Sequence, residues 1–194
     1  MAVRKDEIKQ AALKILSEEG IFQFSLKRIS EVSKISKSLI SYHYKDSRLI
    51  CYELFQEMGE LGARTTDEAI FGAENPEEKL TGVVDGALKW IAFYPDYSSL
   101  IILMYHLSAV DEKILAANKL IHERGEKRIE DILCEAGVKK PKLLSRNVHN
   151  LIVGTLVKMV TMRESHNYQA YRKDLLRGIN KITGLKLTLN KSWM

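Results

Sequence analysis

The chain has 194 residues, 45% apolar and 28% charged, which excludes wholesale disorder and suffices for one large domain or two small ones. Three prolines and 11 glycines exclude a collagen-like or linker-dominated chain and leave few strand-ending turns, so long helices are favoured. The net charge is +5, and residues 1–50 carry most of the excess, with ten Lys and Arg against six acids.

From Lys27 to Lys45 five bases (Lys27, Arg28, Lys34, Lys37, Lys45) face Glu31 alone. Such a patch suits a polyanion, because each neutralised phosphate releases condensed counterions; a solvated basic surface is the alternative reading of charge alone. The longest apolar run, near Leu100–Tyr105, is far short of the roughly 20 residues that cross a bilayer, so no membrane partner is expected. Met1–Gln10 carries Arg4, Lys5, Asp6 and Glu7 with no apolar run behind them, so no leader is expected and the expected location is cytoplasmic. Cys51 and Cys134 are too few for a disulfide framework and too far apart for a metal knuckle; neither a metal nor a cofactor is expected.

In chain order, Ile8, Ala11, Ala12, Ile15 and Leu16 recur at i, +3, +4, +7, +8, the stripe of an amphipathic helix. Gly20 stands where a left-handed C-terminal cap belongs. Ser25 is placed to cap a short second helix presenting Leu26, Ile29 and Val32, and Ser36 to cap a third through Lys37–Tyr44. Asp46 caps a longer fourth, with Ile50, Leu54, Met58 and Leu61 in phase. After the polar stretch Gly72–Pro76 a fifth helix runs to about Tyr94, where Pro95 interrupts it. The spacing then predicts a buried helix over Ser98–Val110 and a long one from Asp111 to about Ala136 that Gly137 ends. Two more follow, from Pro141 to about Glu164 and over about Gln169–Thr183. The fold class expected is all-α, with about nine helices. Trp193, in the last segment, is a candidate docking residue.

Two short helices joined by a tight turn, the second basic and rich in hydroxyls, meet the physical requirements of a helix-turn-helix. The helix over 25–33 would cross the DNA backbone and the one from Lys37 to Tyr44 enter the major groove. There Lys37, Ser38, Ser41 and His43 reach base edges, and the helix N-terminal amides can hold a phosphate.

At these residues the sequence resembles the tetracycline-repressor (TetR) type of bacterial transcriptional regulators. The resemblance is carried by Ile8-Lys9-Gln10-Ala11-Ala12-Leu13-Lys14-Ile15, Glu19-Gly20, Ser25-Leu26-Lys27-Arg28-Ile29 and Ser36-Lys37-Ser38-Leu39-Ile40-Ser41-Tyr42-His43-Tyr44-Lys45. It covers about residues 4–60. It departs where Ser33-Lys34 replaces the small Ala-Gly of the turn, where Ser41 replaces a common aromatic, and where Ser47, with Arg48 beside it, replaces a phosphate-gripping lysine.

The resemblance implies an N-terminal DNA-binding domain over 1–48, with its motif at about 25–44 and the family domain extending to about 61, and an effector-binding and dimerisation domain over 49–194. It implies that Ser25, Lys37, Tyr42 and Ser47 position the DNA backbone and that Ser38, Ser41 and His43 face bases. Lys27, Ser36 and Lys45 complete the DNA-facing set, and the aromatic at Tyr44 packs the helices together. It further implies an effector pocket in the middle helices and a homodimer through the last two.

Candidates for the pocket are Trp90, Phe93, Tyr94, Tyr97, Met104, Tyr105, His106 and His122, an aromatic-rich set suited to an apolar or aromatic small molecule; filling the core is the alternative. His149 is a further polar candidate there. Candidates for the dimer interface are Leu151, Ile152, Thr155, Leu156, Met159, Leu175, Leu176 and Ile179. The function expected is a sequence-specific, nucleoid-associated regulator, a dimeric repressor released from a palindromic operator by an effector. The alternative is an architectural or occlusion factor whose C-terminal domain binds a protein partner. No zinc-binding His-Glu-x-x-His, Gly-rich phosphate loop or nucleophile elbow is present, so catalysis is not expected.

Overall fold

Local signals place each helix end. A computed structural model describes residues 2–164 and 166–187; among them are nine α-helices, one 3-10 turn and no strand. Trp193 lies outside the described residues. The helices are α1 (Ala2–Glu18), α2 (Leu26–Ser33), α3 (Lys37–His43), α4 (Ser47–Ile70), α5 (Pro76–Phe93), α6 (Pro95–Ser108), α7 (Glu112–Glu135), α8 (Pro141–Thr161) and α9 (Tyr168–Thr183).

Asn75 accepts from the Glu78 amide at 2.9 Å, and Pro76 occupies the first turn of α5, where its missing N–H costs nothing. Asp111 Oδ1 accepts from the amides of Lys113 and Ile114 at 3.0 and 3.1 Å and so starts α7. Gly184 ends α9 at φ 76°, in the left-handed region. Gly20 differs from expectation: its φ of 81° comes with ψ 176°, an extended conformation open essentially to glycine alone. The chain then enters a 3-10 turn, Ile21–Gln23, that periodicity does not announce.

Contacts divide the chain into two units. The first joins the residues through Met58 with Asp96–Asn118; the second joins Gly59–Pro95 with the chain from Lys119 onward. In the first, α1 packs on α2 and α2 on α3. Ile8, Ala12, Ile15, Ile29, Ile40, Ile50, Leu54 and Phe55 form its core. Helix α6 starts at Pro95 rather than Ser98 and buries one face only: Leu100, Ile101 and Met104 point inward while Ile102 and Tyr105 are exposed, so it is less buried than its composition predicts.

In the second unit α8, α9 and α5 pack on one another around Leu80, Val84, Leu88, Ile152, Met159, Leu175 and Ile179. Two ties hold α5. Arg172 of α9, buried, donates to Asp85 through Nε at 2.6 Å and Nη2 at 3.1 Å, a bidentate pair. On the other side α4 comes so close that a Cβ on Gly86 would lie 2.5 Å from Thr66 Cα, a spacing that only glycine permits.

Candidate nucleic-acid interface

The first unit exposes a short basic helix held rigidly from behind. Ser25 Oγ accepts from the Arg28 amide at 3.1 Å and Ser36 Oγ from the Leu39 amide at 3.3 Å, so both short helices carry the expected caps. Between them Ser30 Oγ donates to the Ile35 carbonyl at 2.6 Å, and Ser33 Oγ accepts from the Ile35 amide at 3.2 Å. The chain turns through Lys34, which takes φ 60° and ψ 17°. The departure read from the sequence is therefore real: a lysine occupies a left-handed position that glycine adopts without strain.

Ile35, Ile40 and Tyr44 are buried and fix α3 from its inner side. The Tyr44 hydroxyl donates to Glu53 Oε2 at 2.7 Å, and Lys5 Nζ meets Glu53 Oε1 at 2.6 Å. Burial alone would push the Glu53 carboxyl up, but these two donors outweigh it and hold the group below the ordinary range. Tyr44 is thus a packing residue.

The outer face of α3 carries Lys37, Ser38, Ser41 and Tyr42, all exposed; Tyr42 is 71% exposed and meets the half-buried His43 edge to face at 5.3 Å. Ser36 and Ser38 hydroxyls lie 3.1 Å apart. Ser25 and Lys27 are exposed at the start of α2, Lys45 just after α3, and half-buried Ser47 opens α4. The ten candidate DNA-facing residues therefore lie on or beside α2, α3 and the start of α4, in one unit.

The arginines behave differently from the lysines. Arg28 donates to both oxygens of Glu19 at 2.8 and 2.9 Å and to Glu31 at 3.1 Å. Arg48 donates to Asp46 Oδ2 through Nε at 2.8 Å and Nη2 at 2.6 Å, and its amide bonds Oδ1 at 2.9 Å. The Arg48 guanidinium holds the Asp46 carboxyl below the usual carboxylate range. Among the described residues no ion pair engages Lys27, Lys34, Lys37 or Lys45, so the unpaired positive charge of this face is carried by lysines.

The aromatic set is split between the units. Trp90, Phe93, Tyr94 and His122 belong to the second, and Tyr97, Met104, Tyr105 and His106 to the first. Trp90 and Met104 are buried, Phe93 is 64% exposed, and His106 is exposed. Tyr94 accepts a long bond from Arg64 at 3.4 Å. Tyr97 donates to Glu57 Oε2 at 2.8 Å, and Glu57 also holds Lys9, so this phenol ties α6 to α4. His122 faces His149 across α7 and α8, a pairing that a separation of 27 residues hides in the sequence.

Of the dimer candidates, Ile152, Leu156, Met159, Leu175, Leu176 and Ile179 are buried within the protomer, because the same apolar stripes that mark a bundle interface are consumed by α5, α8 and α9 packing together. Leu151 and Thr155 remain half-exposed.

No protein-family model matches the chain, and no curated protein does. Solved structures do, over nearly its whole length. A TetR transcription regulator from Haloarcula marismortui is 16% identical, covers 94% of this chain and 100% of its own, and has a TM-score of 0.81. A transcriptional regulator from Saccharomonospora viridis, solved with choline, is 17% identical over 93% of this chain and 97% of its own, with a TM-score of 0.82. The chain has the TetR-type fold. A fatty acid degradation regulator from Bacillus halodurans shares it at 17% identity, 95% and 97% coverage and a TM-score of 0.75. The TetR-type fold thus holds at identities where side-chain roles are free to diverge. Among the described residues no helix is long and apolar enough to cross a membrane.

Proposed function

We propose that the chain is a sequence-specific DNA-binding transcriptional regulator. The observation that carries this is α3, anchored by Ile40 and Tyr44 and presenting Lys37, Ser38, Ser41 and Tyr42 outward behind a basic turn. A helix with that exposed chemistry fits the major groove, and residues 1–48 are the DNA-binding head in this reading.

The regulator acts as a homodimer, since two recognition helices about 34 Å apart are needed to read a palindrome. With the inner faces of α8 and α9 consumed, the pairing surface is the outer face of α8. Leu143, Asn147, Asn150, Gly154, Val157 and Thr161 recur there at helical spacing, with Leu151 and Thr155 at the margin. A Cβ on Gly154 would meet nothing within 4 Å, so a second helix can approach closely there. Gly154→Arg is expected to give a monomer mass by light scattering; a dimer mass would move the interface elsewhere.

Release by an organic effector follows the same reading. It is supported by the choline complex of the Saccharomonospora viridis protein and by the fatty-acid role given to the Bacillus halodurans one. The deciding experiment is selection of random duplex DNA by the purified chain at two salt concentrations. A palindrome with half-sites about one helical turn apart supports the proposal. Steeply salt-dependent binding that enriches no sequence points to the architectural alternative.

A further inference from the structure

Two glycines of α5 fix how it lies on α4 within the second unit. A Cβ on Gly82 would sit 2.7 Å from the Ala69 carbonyl oxygen, and one on Gly86 would sit 2.5 Å from Thr66 Cα. The touching residues fall along α4 as they rise along α5, so the helices are antiparallel. One turn further, the same register sets Trp90 of α5 opposite Gly62 of α4. The packing changes at this step: a Cβ on half-buried Gly62 would meet nothing within 4 Å, so direct backbone contact gives way to a gap.

Trp90 is 6% exposed, and its Nε1 is buried with no hydrogen-bond partner among the described residues. An indole nitrogen only donates, so what it lacks is an acceptor. Buried indole N–H groups ordinarily find one, because an unmade bond leaves the desolvation of the N–H uncompensated. The neighbouring turn of α4 is already committed. Thr65 Oγ1 donates to the Leu61 and Gly62 carbonyls, both at 3.1 Å, and Thr66 Oγ1 donates to the Gly62 carbonyl at 2.8 Å. Exposed Arg64 reaches the Tyr94 hydroxyl, one turn beyond Trp90, which sets a guanidinium on the solvent side of the gap.

We propose that Trp90 and Gly62 line the effector site, and that the effector is an organic molecule presenting a carbonyl-type oxygen to the Trp90 N–H. This site rests on the effector-release reading above. The apolar body of the molecule lies beside Gly62 and the indole face, and its oxygen accepts the bond that no described residue supplies. Arg64 is placed to favour a carboxylate over a neutral carbonyl. A cationic head group is disfavoured, since the N–H turns its positive end toward it.

Two-dimensional nitrogen–proton NMR of the full chain reads the indole N–H directly, and Trp90→Phe assigns its peak apart from that of Trp193. Octanoate, methyl octanoate and octylamine share an alkyl chain and differ in head group. The expected result is a downfield shift of the Trp90 N–H by both acceptors, with octylamine about tenfold weaker or more. Tighter binding of octanoate than of its ester assigns a carboxylate, and the reverse order a neutral carbonyl. Trp90→Phe, which keeps an aromatic ring, should weaken octanoate about tenfold and leave octylamine unchanged. Gly62→Leu should abolish binding of all three while the chain still unfolds cooperatively on heating. A Trp90 peak unmoved at millimolar octanoate and methyl octanoate would overturn the proposal. So would octylamine binding as tightly as the acceptors, or acceptor affinity that Trp90→Phe leaves unchanged. Operator affinity, measured separately, keeps the two readings apart. A shifted peak with unchanged operator affinity removes effector release and leaves the site, whereas an unmoved peak removes the site and leaves release to another ligand.

Discussion

The phenol of Tyr97 and the carboxylate of Glu57 meet at 2.8 Å, joining the first turn of α6 to the middle of α4. Burial, reinforced by that carboxylate, raises the Tyr97 phenol, so the group stays a proton donor across the working pH range. Tyr97→Phe is expected to lower stability by about 1–2 kcal/mol, the scale of a half-exposed bond to a charged acceptor. Urea denaturation checks it. An unchanged midpoint would return Tyr97 to the set of candidate pocket residues.

Much of the fold was legible because its helix ends are local chemistry. Ser25, Ser36, Asn75-Pro76 and Asp111 announce their caps, and the period of 3.6 marks the inward faces of helices such as α1 and α4, though not that of the mostly apolar α6. That Lys37, Ser38, Ser41 and Tyr42 share the exposed face of one short helix, opposite Ile40, was legible for the same reason. What the remaining apolar stripes pack against was not. An apolar stripe has the same spacing whether its partner is another helix of the protomer or a second chain, so Leu175 and Ile179 read identically in both cases. Tyr97 and Arg48 look like free ligand groups until Glu57 and Asp46 are seen beside them.

Lys37→Ala and Tyr42→Ala should each weaken operator binding by about 1–3 kcal/mol, with circular dichroism unchanged because both side chains are exposed. Their effects differ in kind if Lys37 meets phosphate: its loss flattens the salt dependence, whereas the loss of Tyr42 leaves the slope intact. Titration at several salt concentrations separates the two.

Two glycines of the second unit predict opposite signs. Gly86→Ala forces a methyl into the backbone of α4 at Thr66 and should destabilise by about 1–3 kcal/mol. At Gly62 nothing lies within 4 Å of the new methyl, so Gly62→Ala should stabilise by about 0.5–1 kcal/mol through helix propensity alone. Thermal unfolding of the pair tests both, and equal shifts would refute the close contact at Gly86.

The two thiols should differ sharply. Burial pushes the Cys51 thiol up to about 12, whereas Cys134 is exposed. A thiol reagent at pH 8 is expected to modify one equivalent quickly, at Cys134, and the second only in denaturant. Two fast equivalents in the native chain would contradict the burial of Cys51.

Each arginine within the first fifty residues is committed to a neighbouring carboxylate: Arg4 to Glu7, Arg28 to Glu19 and Glu31, and Arg48 to Asp46. Helix α3 itself carries no arginine, so on the proposed reading the commonest specific contact in duplex recognition, a guanidinium gripping O6 and N7 of one guanine, does not come from this helix. Discrimination would fall to Lys37, to serine hydroxyls that suit several bases, and to the Tyr42 ring against thymine methyl groups. On the proposed reading the consensus is degenerate and poor in obligatory guanines, and the spacing of its half-sites carries much of the selectivity that single base pairs do not.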